Sequence, residues 1–320
     1  MTTIAVVGAG RMGRGLAHVF AYAGHAITLI DSKPRSPAEH ETLRREAFAD
    51  VERSLAGLVD YGAMPAAKVC DIVSRIAIVT DESALETADV VFEAVPETLD
   101  AKRQALALIG RVAQPEAIVA SATSSMMVDE LAAMIERPAR FLNAHWLNPA
   151  HLIPLVEVSP GTETDASVVE CLEGLLKDVG KVPVVCTASP GFIVPRLQAL
   201  AMNEAARLVE EGVATPEAID TATRFGLGFR FAAMGVVEFI DWGGGDTLYR
   251  ASEYLRDRLG AERYAPPDTV RENMESGAIG VKTGRGFHDY AGRDMDAYRK
   301  QTLDRFLALL IHYDLLKPPV

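Results

Sequence analysis

The sequence predicts a chain in two parts: an α/β domain over residues 1–190, built on a doubly wound, mainly parallel sheet, and an all-α domain over residues 191–320. Three observations carry this prediction. Short apolar runs alternate with helical patterns up to Ser189-Pro190-Gly191, and beyond that point the pattern is almost wholly helical. A glycine-rich loop follows the first apolar run at once. A chain of 320 residues also exceeds what one hydrophobic core serves well, so two domains of roughly 100–200 residues are expected.

Ile4-Ala5-Val6-Val7 is apolar on both faces, as a buried parallel strand requires. Helical spacing runs from Arg14 to Ala23, Gly24 stops it, and Ala26–Ile30 reads as a second strand ending at Asp31. A polar stretch with Pro34 and Pro37 then leads into a long helical pattern over Glu39–Tyr61, with Arg and Glu at helix-neighbour spacing. Strands follow at Ile76–Val79, Val90–Val95, Ile118–Ala120, Phe141–Ala144, Leu155–Val158 and Val182–Cys186. Helices at Leu99–Val112, Val128–Ile135 and Ser167–Val179 lie between them. The second domain reads as helices at Ile193–Glu211, Pro216–Phe225, Thr247–Leu259 and Met295–Leu316.

Composition narrows the function classes. With 49% hydrophobic and 24% charged residues, the chain is neither disordered nor fibrous in character. A net charge of −12 disfavours phosphate backbones and anionic lipid, so neither nucleic acid nor membrane is expected as a partner. Cys70, Cys171 and Cys186 match no metal-ligand spacing and read as reduced core residues of a cytoplasmic protein; no metal site is expected. No run approaches about 18 apolar residues, and Met1-Thr2-Thr3 carries no basic leader, so neither secretion nor membrane insertion is expected.

Gly8-Ala9-Gly10-Arg11-Met12-Gly13 is a G-x-G-x-x-G motif after a strand and opening a helix. Gly8 permits the tight turn, Gly10 lets a pyrophosphate approach the backbone, and Gly13 lets helix pack on strand, while Arg11 and Met12 add amides to the helix start. Asp31 stands 18 positions beyond Gly13, where a carboxylate accepts hydrogen bonds from an adenosine ribose and repels a 2′-phosphate. NAD is therefore the expected cofactor, although Lys33 and Arg35 nearby weaken the preference over NADP. FAD shares the fingerprint, and the motif alone does not separate the two.

His145 directly follows a predicted strand, and Glu157 lies in the next one. If those strands are neighbours, or the loop folds back, the carboxylate reaches one imidazole nitrogen, fixes the tautomer and makes the other nitrogen a better base. That arrangement suits oxidation of an alcohol.

Together with these residues, Glu93-Ala94-Val95-Pro96-Glu97 with Lys102, Ala122-Thr123-Ser124-Ser125, His145-x-x-Asn148-Pro149, Pro154–Val158, Pro190-Gly191-Phe192, Ile219-Asp220-Thr221 and Lys282-Thr283-Gly284-x-Gly286-Phe287 occur in the order of the L-3-hydroxyacyl-CoA dehydrogenase family, which the chain resembles over nearly its whole length. The resemblance implies a Rossmann-type NAD domain, a helical C-terminal domain that dimerises, and oxidation of a 3-hydroxy to a 3-keto group. It implies His145 as the catalytic base, Glu157 as the residue orienting it, Ser124 as the hydroxyl that bonds the substrate oxygen, and Asn148 as a support of the same pocket. Glu97 and Lys102 match positions near the cofactor and the substrate entrance. Ser124 or Ser125 also suits an N-cap, Asn148-Pro149 is ordinary turn chemistry, and Lys102 equally suits a solvated helix surface.

Two departures bear on the substrate. The family pattern Gly-Phe-x-x-Asn-Arg reads Gly191-Phe192-Ile193-Val194-Pro195-Arg196 here, so a side-chain amide is missing, although proline is tolerated in the first turn of a helix. Arg230, in Gly226–Phe231, resembles branches that oxidise small free acids, such as L-gulonate 3-dehydrogenase (lambda-crystallin), L-carnitine dehydrogenase and a pyridine-carboxylate dehydrogenase. Its guanidinium suits a carboxylate or a dimer-interface ion pair. The expected substrate is thus a short 3-hydroxyacyl-CoA or a small free 3-hydroxy acid. The alternative is a catalytically impaired NAD(H)-binding structural or sensing protein, which Pro195 alone encourages. β-Hydroxyacid dehydrogenases related to 6-phosphogluconate dehydrogenase use a lysine on the interdomain helix, and Phe192–Glu211 contains none.

Overall fold

A computed structural model describes residues 2–317 and residue 319. Met1, Pro318 and Val320, which the two expected domains include, lie outside the described residues. The chain forms two compact units, Met1–Met202 and Asn203–Val320.

The first unit runs β1 (Ile4–Val7), α1 (Arg11–Tyr22), β2 (Ile27–Ile30), α2 (Pro37–Asp60), α3 (Val69–Val73), β3 (Ile76–Val79), β4 (Val90–Glu93), α4 (Leu99–Val112), β5 (Ile118–Ser121), α5 (Val128–Ala132), β6 (Phe141–Trp146), β7 (Leu155–Pro160), α6 (Ala166–Asp178) and β8 (Val182–Val185), and α7 (Val194–Glu210) starts within it. The eight strands make one sheet in the order β3-β2-β1-β4-β5-β6-β7-β8. All adjacent pairs are parallel except β6 with β7. Chain order reverses between β1 and β4, the switch point at whose carboxyl edge such sheets bind ligands.

The apolar-on-both-faces strand pattern is explained by two cores. Ile4 and Val6 of β1 join one cluster with Leu16, Phe20, Phe92 and Trp146. Ala5 and Val7 join the other with Leu106, Ile109 and Phe141. Each fully buried large side chain contributes about 1.5–3 kcal/mol, which is why period-2 alternation is replaced by continuous hydrophobicity.

Helix boundaries shift from expectation for local reasons. The first helix starts at Arg11 rather than Arg14, because Gly10 is its N-cap and the glycine motif supplies its first turn. The second starts at Pro37, where Ser36 and Glu39 form a reciprocal capping box and proline occupies the first turn. The helix expected over Val128–Ile135 ends at Ala132.

The second unit contains the C-terminal part of α7, from Asn203 on, then α8 (Pro216–Ala222), a π-helical turn Thr223–Gly228, α9 (Phe229–Ala233), α10 (Val236–Gly243), α11 (Gly245–Leu259), α12 (Asp268–Glu275) and α13 (Met295–His312). The helix expected over Pro216–Phe225 is therefore interrupted, in a stretch that holds Gly226 and Gly228. Helices α10 and α12 were not expected, being only eight residues each. Asp241, fully buried, ties down the Gly286-Phe287-His288 loop by accepting from the Phe287 and His288 amides and the Tyr290 hydroxyl.

The three cysteines are free thiols, but the expectation that they lie in the core is corrected: Cys70 and Cys171 are exposed and Cys186 is half-buried. On α6 the core stripe is Val168, Leu172 and Leu176, at spacing four, and Cys171 falls beside it. Among the described residues no helix is long and apolar enough to cross a membrane, and no group of three or more His, Cys, Asp or Glu is placed to hold a metal ion.

Candidate active site

The glycine loop joins β1 to α1 at the sheet's switch point. Gly8 has φ +116°, and a Cβ there would stand 2.6 Å from the Ala94 carbonyl oxygen. A Cβ on Gly13 would run into the Gly8 carbonyl, whereas one on Gly10 would meet nothing within 4 Å. Gly8 and Gly13 thus serve the turn and its packing, and Gly10 leaves open ground in front of the first amides of α1, which have no intrahelical acceptors.

A cleft of about 300 Å³ leads from this loop to Asp31, lined also by Arg11, Lys33, Arg35 and Val95. The Asp31 carboxylate is buried, and its Oδ2 accepts from Arg35 Nε at 2.7 Å with His40 Nδ1 at 3.4 Å. Oδ1 has no partner among the described residues. An open glycine cradle at one end of a cleft and a half-engaged carboxylate at the other fit the pyrophosphate and ribose of a dinucleotide. Met12 packs its side chain against the core below the cradle.

The second constellation sits on β6 and β7. Their antiparallel register puts His145 directly opposite Glu157, and His145 Nδ1 lies 2.7 Å from Glu157 Oε2. Glu157 is completely buried and His145 nearly so. The other carboxylate oxygen, Oε1, accepts from the Ile193 and Val194 amides at 2.8 Å each, so Glu157 also holds the start of α7. Phe192, with φ +45°, stacks its ring on His145 at 5.1 Å. A non-glycine residue in this left-handed region costs about 1–3 kcal/mol, and what it obtains here is that stacking position. With Glu157 as acceptor the ring proton belongs on Nδ1, leaving the Nε2 lone pair to act as a base. The sequence reading placed Phe192 in a family motif without giving it a role, and it missed the two amides. Pro195 follows as the second residue of α7, where its missing N–H leaves no acceptor unsatisfied.

Ser124 lies in the turn between β5 and α5. Its amide donates to Glu97 Oε1 at 3.0 Å, and its exposed hydroxyl has no hydrogen-bond partner among the described residues. The N-cap reading of Ser124 or Ser125 is set aside, because α5 begins at Val128 behind Met127 with no side-chain cap. Asn148 is exposed and joined to Pro149 by a cis peptide bond. It lines a second cleft of about 490 Å³ with Arg11, Arg14, His18 and His151.

Lys102 is not a solvated surface charge. Only 1% exposed, its ammonium lies 2.9 Å from Glu93 and 3.2 Å from Glu97. Burial would push the Glu97 carboxyl up, but the Thr123 hydroxyl, the Lys102 ammonium and the Ser125 hydroxyl together hold it below the usual carboxylate range. Arg230 belongs to the second unit, exposed on α9 with its guanidinium 5.3 Å from the Phe239 ring centre and no carboxylate within 4 Å among the described residues.

A dinucleotide cradle at a switch point, with an imidazole–carboxylate pair in the same unit, fits a dinucleotide-dependent oxidoreductase. The profile of the 3-hydroxyacyl-CoA dehydrogenase NAD binding domain matches residues 3–189, and that of the corresponding C-terminal domain residues 191–290. A 3-hydroxybutyryl-CoA dehydrogenase of Bradyrhizobium diazoefficiens is 35% identical over 90% of this chain and 95% of its own length. The 5-formyl-3-hydroxy-2-methylpyridine 4-carboxylate 5-dehydrogenase of Mesorhizobium japonicum is 30% identical over 96% of both chains. The crystal structure of a 3-hydroxyacyl-CoA dehydrogenase from Archaeoglobus fulgidus is similar with a TM-score of 0.77 and 32% identity, covering 99% of this chain and 100% of that one. The chain belongs to the 3-hydroxyacyl-CoA dehydrogenase family, and its cofactor is NAD.

Proposed function

We propose that the protein oxidises the 3-hydroxy group of a short 3-hydroxyacyl-CoA or a small free 3-hydroxy acid to the 3-keto product, with His145 as general base. The observation that carries this reading is the His145–Glu157 contact of 2.7 Å, made to a carboxylate that is wholly buried and held by two further amides. NAD, when bound, supplies the hydride acceptor. The first amides of α1, at Arg11, Met12 and Gly13, hold its pyrophosphate, and Asp31 its adenosine ribose.

His145 Nε2 takes the proton of the substrate hydroxyl, and Glu157 stabilises the imidazolium that results. The Ser124 hydroxyl, free of protein partners, donates to the same substrate oxygen, and Asn148 supports the pocket wall. Arg230 serves as the anchor for a substrate carboxylate, a role supported by its having no carboxylate within 4 Å among the described residues. The relative from Mesorhizobium japonicum, named for a carboxylate substrate, supports a free acid; the 3-hydroxybutyryl-CoA dehydrogenase supports a thioester.

A homodimer is part of the proposal. Phe225, Leu227, Phe231, Val236 and Val237 are exposed close together in sequence in the second unit, and such apolar side chains suit cover by a second subunit. The free thiols favour a cytoplasmic setting. The test is NADH formation by the intact protein with 3-hydroxybutyryl-CoA, free 3-hydroxybutyrate, carnitine and gulonate. Turnover of at least one is expected, and no turnover of any 3-hydroxy compound overturns the reading.

A further inference from the structure

We propose that the protein takes NADP as a second cofactor beside NAD, with Lys33 and Arg35 receiving the 2′-phosphate on its adenosine ribose. The inference does not depend on which 3-hydroxy compound is oxidised.

The ribose end of the cofactor cleft is the turn that follows β2. Asp31, buried there, has its Oδ2 bound by Arg35 Nε at 2.7 Å, so its negative charge faces a guanidinium at contact distance. Only Nε of Arg35 is spent on this pair. Its two terminal nitrogens have no hydrogen-bond partner among the described residues, and the side chain lines the cleft. Lys33 lines the same cleft and an adjoining one of about 370 Å³, and no carboxylate lies within 4 Å of its ammonium among the described residues. Asp31 is the one acid among the residues lining the first cleft. Glu82, on the wall of the adjoining one, is taken up by Arg111 at 3.6 Å. Arg14, a further base of the first cleft, is held by Asp50, which leaves Lys33 and Arg35 as the cations at the ribose end.

A carboxylate in this place ordinarily turns away a 2′-phosphate, and an arginine nearby ordinarily receives one. Here both stand on the same turn. Opposite charges in contact largely cancel at the distance of a third group, so Asp31 with Arg35 presents little net charge to a phosphate, and Lys33 adds a full positive one. Burial of Asp31 calls for a partner, because an unpaired buried carboxylate is costly. That need accounts for Arg35 Nε; it accounts neither for the terminal nitrogens left open to the cleft nor for Lys33. A guanidinium carries its donors in a rigid fork, so it can hold the carboxylate through one nitrogen and a phosphate through the others. Oδ1 of Asp31 stays available for the 2′-hydroxyl of NAD and for the 3′-hydroxyl that both cofactors share. The phosphate belongs to the adenosine end, away from the nicotinamide, so the hydride from C3 and the hydroxyl proton taken by His145 go where they go with NAD.

The test is fluorescence titration of the full-length protein with NADH and with NADPH, which needs no substrate, on wild type, Lys33→Ala, Arg35→Ala and the double variant. Wild type is expected to bind NADPH within about 100-fold of NADH, since the remaining repulsion from Asp31 is opposed by charge-assisted contacts of similar size. Each single variant is expected to lower the ratio of NADPH to NADH affinity by about tenfold or more, the effect of one such contact. Added salt should weaken NADPH binding more than NADH binding, because the extra phosphate sits among exposed charges. NADPH binding weaker than NADH binding by more than about 100-fold in wild type overturns the proposal. So does a ratio that the double variant leaves within about twofold of wild type. If Arg35→Ala fails to fold, exposed Lys33→Ala carries the same comparison. The screen above is then run with NADP in place of NAD. A 3-hydroxy compound that reduces NAD but not NADP overturns the role as a cofactor. Turnover with neither counts against the proposed substrates, and the titration alone then decides whether Lys33 and Arg35 receive the phosphate.

Discussion

Replacing Glu157 by Gln changes one oxygen for an amide nitrogen and removes a buried negative charge, with almost no change of volume. The carboxylate now accepts from His145 on one side and from the Ile193 and Val194 amides on the other. A glutamine has one carbonyl oxygen to share. Facing it toward the two amides satisfies more donors, and its own NH₂ then points at His145 Nδ1. The imidazole must answer with a lone pair there, which moves its proton to Nε2 and blocks the base. Loss of one charge-assisted hydrogen bond is worth about 1.5–3 kcal/mol, or roughly 10- to 150-fold in rate. Tautomer reversal adds to this, so kcat should fall into the range of about 10²–10⁴-fold that general-base assistance supplies. The assay is NADH formation at saturating NAD and substrate, with circular dichroism to confirm folding. A folded Glu157→Gln protein with kcat within about twofold of wild type would refute the orienting role, since so small a change lies far below the effect of one lost contact.

Acid should destabilise the fold through His18, which burial in the first place, helped by the charges of His151 and Lys181, holds down at about 4. Between pH about 6.5 and 4 the unfolded chain binds a proton that the folded chain refuses, so stability falls as pH falls across that window; from pH 7 to 5 the loss is about 2 kcal/mol. His18→Gln, which keeps a partner for Ser54, should lose correspondingly less in urea titrations at the two pH values; an equal loss in both proteins would show that His18 is not responsible. Arg230→Ala should raise KM for a free 3-hydroxy acid by about tenfold or more, as expected for one charge-assisted anchor, and leave KM for the CoA thioester unchanged. A uniform or absent effect would remove the carboxylate anchor.

What could be read from the sequence depended on how local the cause was. The glycine motif and Asp31 are a strand, a turn and a helix start that follow one another along the chain, and the sheet's parallel strands followed from apolar runs that serve two cores. The proximity of His145 and Glu157 was conditional on the strands being neighbours, and the antiparallel register of β6 and β7 met that condition. Nothing local signalled the burial of Lys102. It lies two residues from exposed Asp100 on an amphipathic helix, and only the carboxylates at the end of β4 and before α4 make its burial tolerable. The amides of Ile193 and Val194 were equally hidden, since backbone groups carry no sequence signature.

The central claim is that His145 removes the substrate proton while other residues hold the cofactor. The most direct measurement compares wild type and His145→Ala in one preparation, following NADH formation from a 3-hydroxy substrate alongside NADH affinity. The account predicts a loss of turnover of about 10²–10⁴-fold, with NADH affinity preserved within about twofold. Undiminished turnover in the His145→Ala protein would contradict it.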